Sequence, residues 1–120
     1  MTGGESMRAV ASRKGRLTAG AVGCLAAAAL LAAEPADSRR AELTHLVRQD
    51  CGSCHGMTLK GGLGPALTRD ALRGKPAESL IVTVLYGRPG TAMPPWRAFV
   101  SEAEAAWIVR QLQEGTLGER

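Results

Sequence analysis

Residues 51–67 read CGSCHGMTLKGGLGPAL. Two cysteines, one histidine and five glycines fall within these seventeen residues, and no aromatic side chain does. From Gly56 to Pro65 the run is too rich in glycine for regular structure and reads as loop. The segment before it reads as helix. In RRAELTHLVRQD, residues 39–50, Leu43, Leu46 and Val47 share one face, with Asp50 continuing it. That i, i+3, i+4 spacing predicts an amphipathic helix leading into Cys51, capped by Asp37 or Ser38.

Further along, Leu80, Ile81, Val84 and Leu85 repeat the helical spacing between Pro76 and Gly87. IVTVL within it has the β-branched content of a strand. Pro76 at a first helical position, Glu78 behind it and Gly87 at the end favour helix. A short helical turn, TRDALR, precedes it. RPGTAMPP, residues 88–95, must be loop, since it holds three prolines and a glycine. Ser101 to Glu104 form a capping box for a last helix that turns Ala105, Ile108, Val109 and Leu112 inward and stops before Gly115. No strand pair is evident. The predicted class is all-α, with three main helices and their loops.

The first third of the chain is not domain sequence. Arg8, Arg13, Lys14 and Arg16 precede an uncharged run, LTAGAVGCLAAAALLAA, from Leu17 to Ala33. A basic start, an apolar stretch and small residues at its end form the pattern of a secretory signal peptide. Residues 1–33 are therefore expected to be a leader cut near Ala33, with a retained membrane anchor as the alternative reading. Residues 34–120 are then the domain, expected in the periplasm. From Glu34 onward there are 11 Lys and Arg against 10 Asp and Glu. The near balance, with no basic patch interleaved with aromatics, excludes a nucleic-acid partner. A domain of this size is marginal without a staple. Its aromatics, Tyr86, Trp96, Phe99 and Trp107, all lie late in the chain, so something else must fill the core near the cysteines.

Cys51, Cys54 and His55 spell C-x-x-C-H, the attachment signature of c-type haem. Two thiols three residues apart at a helix end can reach two vinyl groups on one porphyrin edge. The adjacent imidazole then meets the iron. The rival chemistries use these residues less well. A redox dithiol expects a βαβ setting, which is missing. A zinc site needs four ligands, and His45, within the first helix, is at no finger-like spacing. A disulfide leaves His55 idle. Met93, in the proline-stiffened T-A-M-P-P-W loop, is the expected second axial ligand. Met57 stands too near His55 in the chain, and His45 is placed on the proximal side. The Pro65 carbonyl suits the other ring N–H of His55. Gly61, Gly62 and Gly64 are expected to let the backbone approach the porphyrin edge.

With these residues in view, the chain resembles the class I c-type cytochromes over residues 38–114. The marks are C-G-S-C-H, G-P-A-L at 64–67, M-P-P-W at 93–96 and the flanking helices. In its loop wording it is similar to the NirC-type cytochromes, small periplasmic monohaem proteins encoded with cytochrome cd-type nitrite reductase. Ala92 departs from the proline common there. The resemblance implies one covalently attached haem c, tethered by Cys51 and Cys54 and ligated by His55 and Met93, with the Pro65 carbonyl behind His55. It also implies that the first and last helices cross, with Trp107 at the crossing. The implied function is one-electron transfer rather than catalysis, by a monomer. The implied partner is the nitrite reductase or its d-type haem-assembly proteins. Lys60, Arg88 and Arg97 are candidates for steering a partner, and Arg88 and Tyr86 for reaching the haem carboxylates.

Overall fold

The structure is a computed structural model that describes residues 34–117. The expected leader lies outside the described residues. Helix α1 spans Asp37–Leu46 and runs without a break through a π-helical turn, Val47–Cys51, into the short α2, Gly52–His55. Then come α3, Arg69–Leu72, α4, Ala77–Tyr86, and α5, Glu102–Glu114. No strand occurs among the described residues. The segment around IVTVL is helix, so packing of its apolar face overrides its β-branched content.

Two helix starts differ from the sequence expectation. Ala36, not Asp37 or Ser38, occupies the cap of α1 and makes no side-chain capping bond. Asp37 already lies inside the first turn, where its carboxylate pairs with Arg40. That position still suits an acid, because it faces the positive end of the helix dipole. Pro76 precedes the first residue of α4 rather than occupying it; its backbone is extended, with ψ 131°. The capping box of α5 forms as expected, with Glu104 N–H donating to Ser101 Oγ and Ser101 N–H to Glu104 Oε2.

Helix α5 is the hub, packing against α4, α3 and α1. Ala105, Ile108, Val109 and Leu112 make its buried stripe, and Trp107 is also buried. At 100° per residue Trp107 points away from that stripe, so α5 is covered on two sides. Leu43 and Val47 of the first helical run are fully buried in the same core as Trp107. Each contributes about 1.5–3 kcal/mol by leaving water.

Leu59 fastens the glycine-rich loop to this core. Its φ of 58° is left-handed, a conformation that costs a branched residue about 1–2 kcal/mol. Its side chain is only 1 % exposed, which offsets that cost. The backbone around it is also tied, with Leu59 N–H donating to Gly56 O and Leu67 N–H to Leu59 O, both at 2.8 Å.

Arg39 joins the first helix to the last. Its Nε donates to Glu104 Oε1 at 2.6 Å, and its Nη2 to the Phe99 carbonyl oxygen at 2.9 Å. The Arg39 hydrogen bond holds the Glu104 carboxyl below its usual range, helped by the Ser101 backbone bond. A depressed carboxyl stabilises the fold above its unfolded pKa and loses that contribution as pH falls through the folded one. Arg39→Met should therefore lower the stability of the loaded protein near neutral pH. The difference from wild type should shrink as pH falls below about 4. Denaturant titrations at a series of pH values check both.

Candidate functional site

The first helical run, the glycine-rich loop, α4, the Met93 loop and α5 enclose a cavity of about 730 Å³. That volume is in the range of small-molecule and cofactor sites, about 300–1,000 Å³. Its walls are mostly apolar, with Leu46, Leu67, Leu80, Val84, Trp96 and Ile108 among them. Cys51, Cys54, His55, Pro65 and Met93 all line it. Thirty-eight residues of chain separate His55 from Met93, and the fold brings them to one chamber.

His55 is oriented by its neighbours. Its Nδ1 lies 2.7 Å from the Pro65 carbonyl oxygen. A carbonyl can only accept, so Nδ1 is the donor, and in the neutral ring the lone pair is then on Nε2. Gly64 lies flat against the ring: a Cβ there would stand 2.7 Å from Cε1 and 2.8 Å from Nδ1. At Gly64 the missing Cβ leaves room for the imidazole. At Gly62 a Cβ would fall 2.8 Å from the Cys54 carbonyl oxygen. The loop is bonded back to the helix end by Gly61 N–H to His55 O and Gly64 N–H to Cys54 O, both 2.8 Å.

Backbone bonds likewise pin the Met93 loop to the end of α4. Trp96 N–H donates to Val84 O at 3.0 Å, Arg97 N–H to Leu85 O at 3.2 Å, and Arg88 N–H to Met93 O at 3.1 Å. Gly87, with φ 68°, permits this closeness; a Cβ there would meet the Met93 carbonyl oxygen at 2.6 Å. The alternatives to Met93 lie elsewhere. His45 and Met57 are exposed and neither lines the cavity. Tyr86 is also outside it, with the Arg97 guanidinium over its ring at 5.7 Å, whereas Arg88 lines the wall.

The thiols are unlinked. Burial, reinforced by Asp50, pushes the Cys51 thiol up to about 11. A redox dithiol needs the opposite, a thiol of lowered pKa in an electropositive setting. Among the described residues, no three His, Cys, Asp or Glu side chains are grouped to hold a metal ion by themselves, which disfavours the zinc reading. The site instead combines an apolar chamber, two thiols at its edge, one imidazole with a free Nε2 and one thioether. That donor set fits a covalently tethered haem.

Comparison with known proteins agrees. A family model described as cytochrome C oxidase, cbb3-type, subunit III matches residues 38–110. The chain belongs to the c-type cytochromes. Cytochrome c55X of Stutzerimonas stutzeri is 62 % identical over 85 residues, covering 71 % of this chain and 75 % of that protein. The solved structure of a c-type cytochrome NirC superposes with a TM-score of 0.70 at 59 % identity, covering 71 % of this chain and all of that one. A dihydro-heme d1 dehydrogenase of Pseudomonas aeruginosa is 40 % identical over 70 residues, 58 % of this chain but 14 % of the enzyme. The helical fold is accordingly that of a small class I cytochrome c, and this cytochrome carries covalently bound haem c.

Some features of the site had no sequence signal. The π-helical turn that ends at Cys51 has no composition cue, although such turns gather at functional sites. Lys75 lines the cavity from the approach to α4. The Gly64 contact predicts a specific sensitivity. Gly64→Ala should displace the imidazole or the loop and destabilise the loaded cytochrome by about 1–3 kcal/mol. It should also shift the haem absorption bands. Gly90→Ala, where nothing lies within 4 Å, should cost only the backbone strain of its positive φ and leave the spectrum unchanged. Absorption spectra and denaturant titrations of both variants test this.

Proposed function

We propose that this cytochrome is a one-electron carrier and not an enzyme, with haem c tethered through Cys51 and Cys54 and ligated by His55 and Met93. The carrying observation is the convergence of these four residues on one apolar cavity, with the His55 ring fixed by the Pro65 carbonyl. When bound, haem supplies a one-electron iron couple. The chain does the rest. His55 Nε2 and the Met93 sulfur would be the two protein ligands of the iron, a pair that suits electron transfer rather than substrate chemistry. The Pro65 bond raises the basicity of the imidazole. The thioether would favour the reduced state of the bound iron, and the apolar walls would keep water from it.

The setting we infer is the periplasm, with residues 1–33 as the leader and 34–120 as the cytochrome domain. Among the described residues no helix is long and apolar enough to cross a membrane. The NirC and c55X relatives support service to the cytochrome cd-type nitrite reductase system as electron donor. A second reading is favoured by the dihydro-heme d1 dehydrogenase relative: electron exchange during d-type haem maturation. Deleting the gene separates them. A reductase with its full d-type haem but slowed reduction marks the donor role, and a reductase lacking that haem marks maturation.

The ligand assignment has its own test. Met93→Ala should keep covalent haem, lower the midpoint potential and give high-spin iron or a substitute ligand. An unchanged absorption spectrum would remove Met93 from the site. Cys51→Ala and Cys54→Ala should each cut the yield of covalent haem sharply and leave mostly unfolded chain. Haem staining and circular dichroism read these outcomes.

A further inference from the structure

A second cleft opens where the turn after α3 meets the last turn of α5. It encloses about 330 Å³ and is lined by Arg69, Leu72, Arg73, Gly74 and Gln113. That volume is at the small end of ligand sites, which run from about 300 to 1,000 Å³. No acidic side chain is in its lining. The haem chamber makes no use of this space. Leu72, only 4 % exposed, stands in the wall of both cavities and separates them.

The donors of the cleft outnumber their partners. Arg69 pairs with no carboxylate among the described residues. Arg73 is joined to Asp70, an acid outside the lining, and its guanidinium keeps further N–H groups beyond that contact. Gly74 turns the backbone between them with φ 72°, and nothing lies within 4 Å of where a Cβ would stand. Its N–H makes no hydrogen bond among the described residues. The opposite wall is braced, because Gln113 Nε2 donates to the Lys75 carbonyl oxygen at 3.0 Å. Two guanidiniums and a backbone N–H thus border open space with no acid beside it. Guanidinium forks match oxyanions through paired, charge-assisted hydrogen bonds. The wider field agrees in sign. Residues 56–97 carry Lys60, Arg69, Arg73, Lys75, Arg88 and Arg97 against Asp70 and Glu78, a balance of +4, which draws anions to this side of the molecule.

We propose that this cleft binds a small, free oxyanion of the phosphate type, held by Arg69, Arg73 and the Gly74 N–H, and that its occupancy biases the haem iron toward the oxidised state. The site goes beyond the carrier reading and does not depend on it. Its reach to the cofactor is short in the chain: Lys75 follows Gly74 and lines the haem chamber, and Leu72 alone is shared by the two walls. Ferric iron carries one more positive charge than ferrous iron, so a nearby anion stabilises it by simple Coulomb attraction. Linkage makes the effect reciprocal, and the oxidised protein should bind the anion more tightly than the reduced one.

Calorimetric titration of the haem-loaded protein with inorganic phosphate, against chloride at constant ionic strength, tests the site. Wild type should show saturable binding. The double variant Arg69→Gln, Arg73→Gln should weaken it at least about tenfold. The double variant Lys60→Gln, Arg97→Gln loses the same charge at positions outside the cleft lining and should stay within about twofold of wild type. Absorption spectra of both variants check that the haem chamber is intact. In redox titrations, phosphate should lower the midpoint potential of wild type and leave that of the cleft variant unmoved. Absence of saturable phosphate binding to wild type overturns the proposal. Equal weakening in the two variants also overturns it, because it marks a general field rather than a site. A wild-type potential that ignores saturating phosphate overturns the link to the iron. None of these outcomes touches the carrier reading.

Discussion

The hydrogen bond between His55 Nδ1 and the Pro65 carbonyl oxygen sets the terms for the rest of the site. It requires a helix that ends at His55 and a strap that returns within ten residues to face the ring. The return is too tight for side chains, so Gly64 lies against the imidazole without a Cβ. It also needs an anchor, which Leu59 provides by burying itself in a backbone conformation a leucine rarely adopts. The bond decides which nitrogen is free, and hence which way the ring can ligate. Misplacing the strap would leave the cysteines able to tether a haem but the imidazole free to turn.

Much of this was legible in the residues. The helices were readable because their apolar spacing agrees with their end signals: Ser101 and Glu104 at one end and Gly115 at the other bracket α5 without ambiguity. The cofactor was readable because C-x-x-C-H combines covalent and ligand chemistry at fixed spacing. The scarcity of aromatics near it marked a volume that side chains do not fill, and the structure shows that volume as a cavity. What escaped were features with no local signal. Ala36 takes the cap ahead of two better capping residues. The π-helical turn ends at Cys51, on the cavity wall. Neither is announced by residue type. The glycine-rich stretch was legible as a close approach, and at Gly64 the body approached is the His55 ring.

The Met93 loop shows how a segment without regular structure can still be rigid. Prolines remove its conformational freedom, and Gly87 admits it against the end of α4. Three backbone hydrogen bonds then register it to α4 and within itself. Its position is inherited from α4, and α4 is held by α5. The two proposed axial ligands are thus carried by separate parts of the chain that meet through one helix.

The Arg39 link to Glu104 has a consequence for how the chain assembles. These residues are 65 apart in sequence, so the first and last helices find each other only by closing most of the domain into a loop. Such a long-range contact carries a loop-closure entropy cost and needs the last helix to be present. The C-x-x-C-H segment, at the end of the first helical run, is complete well before that closure is possible. The chain can therefore be acted on while it is still open, and the closing of the last helix over the first would seal the result.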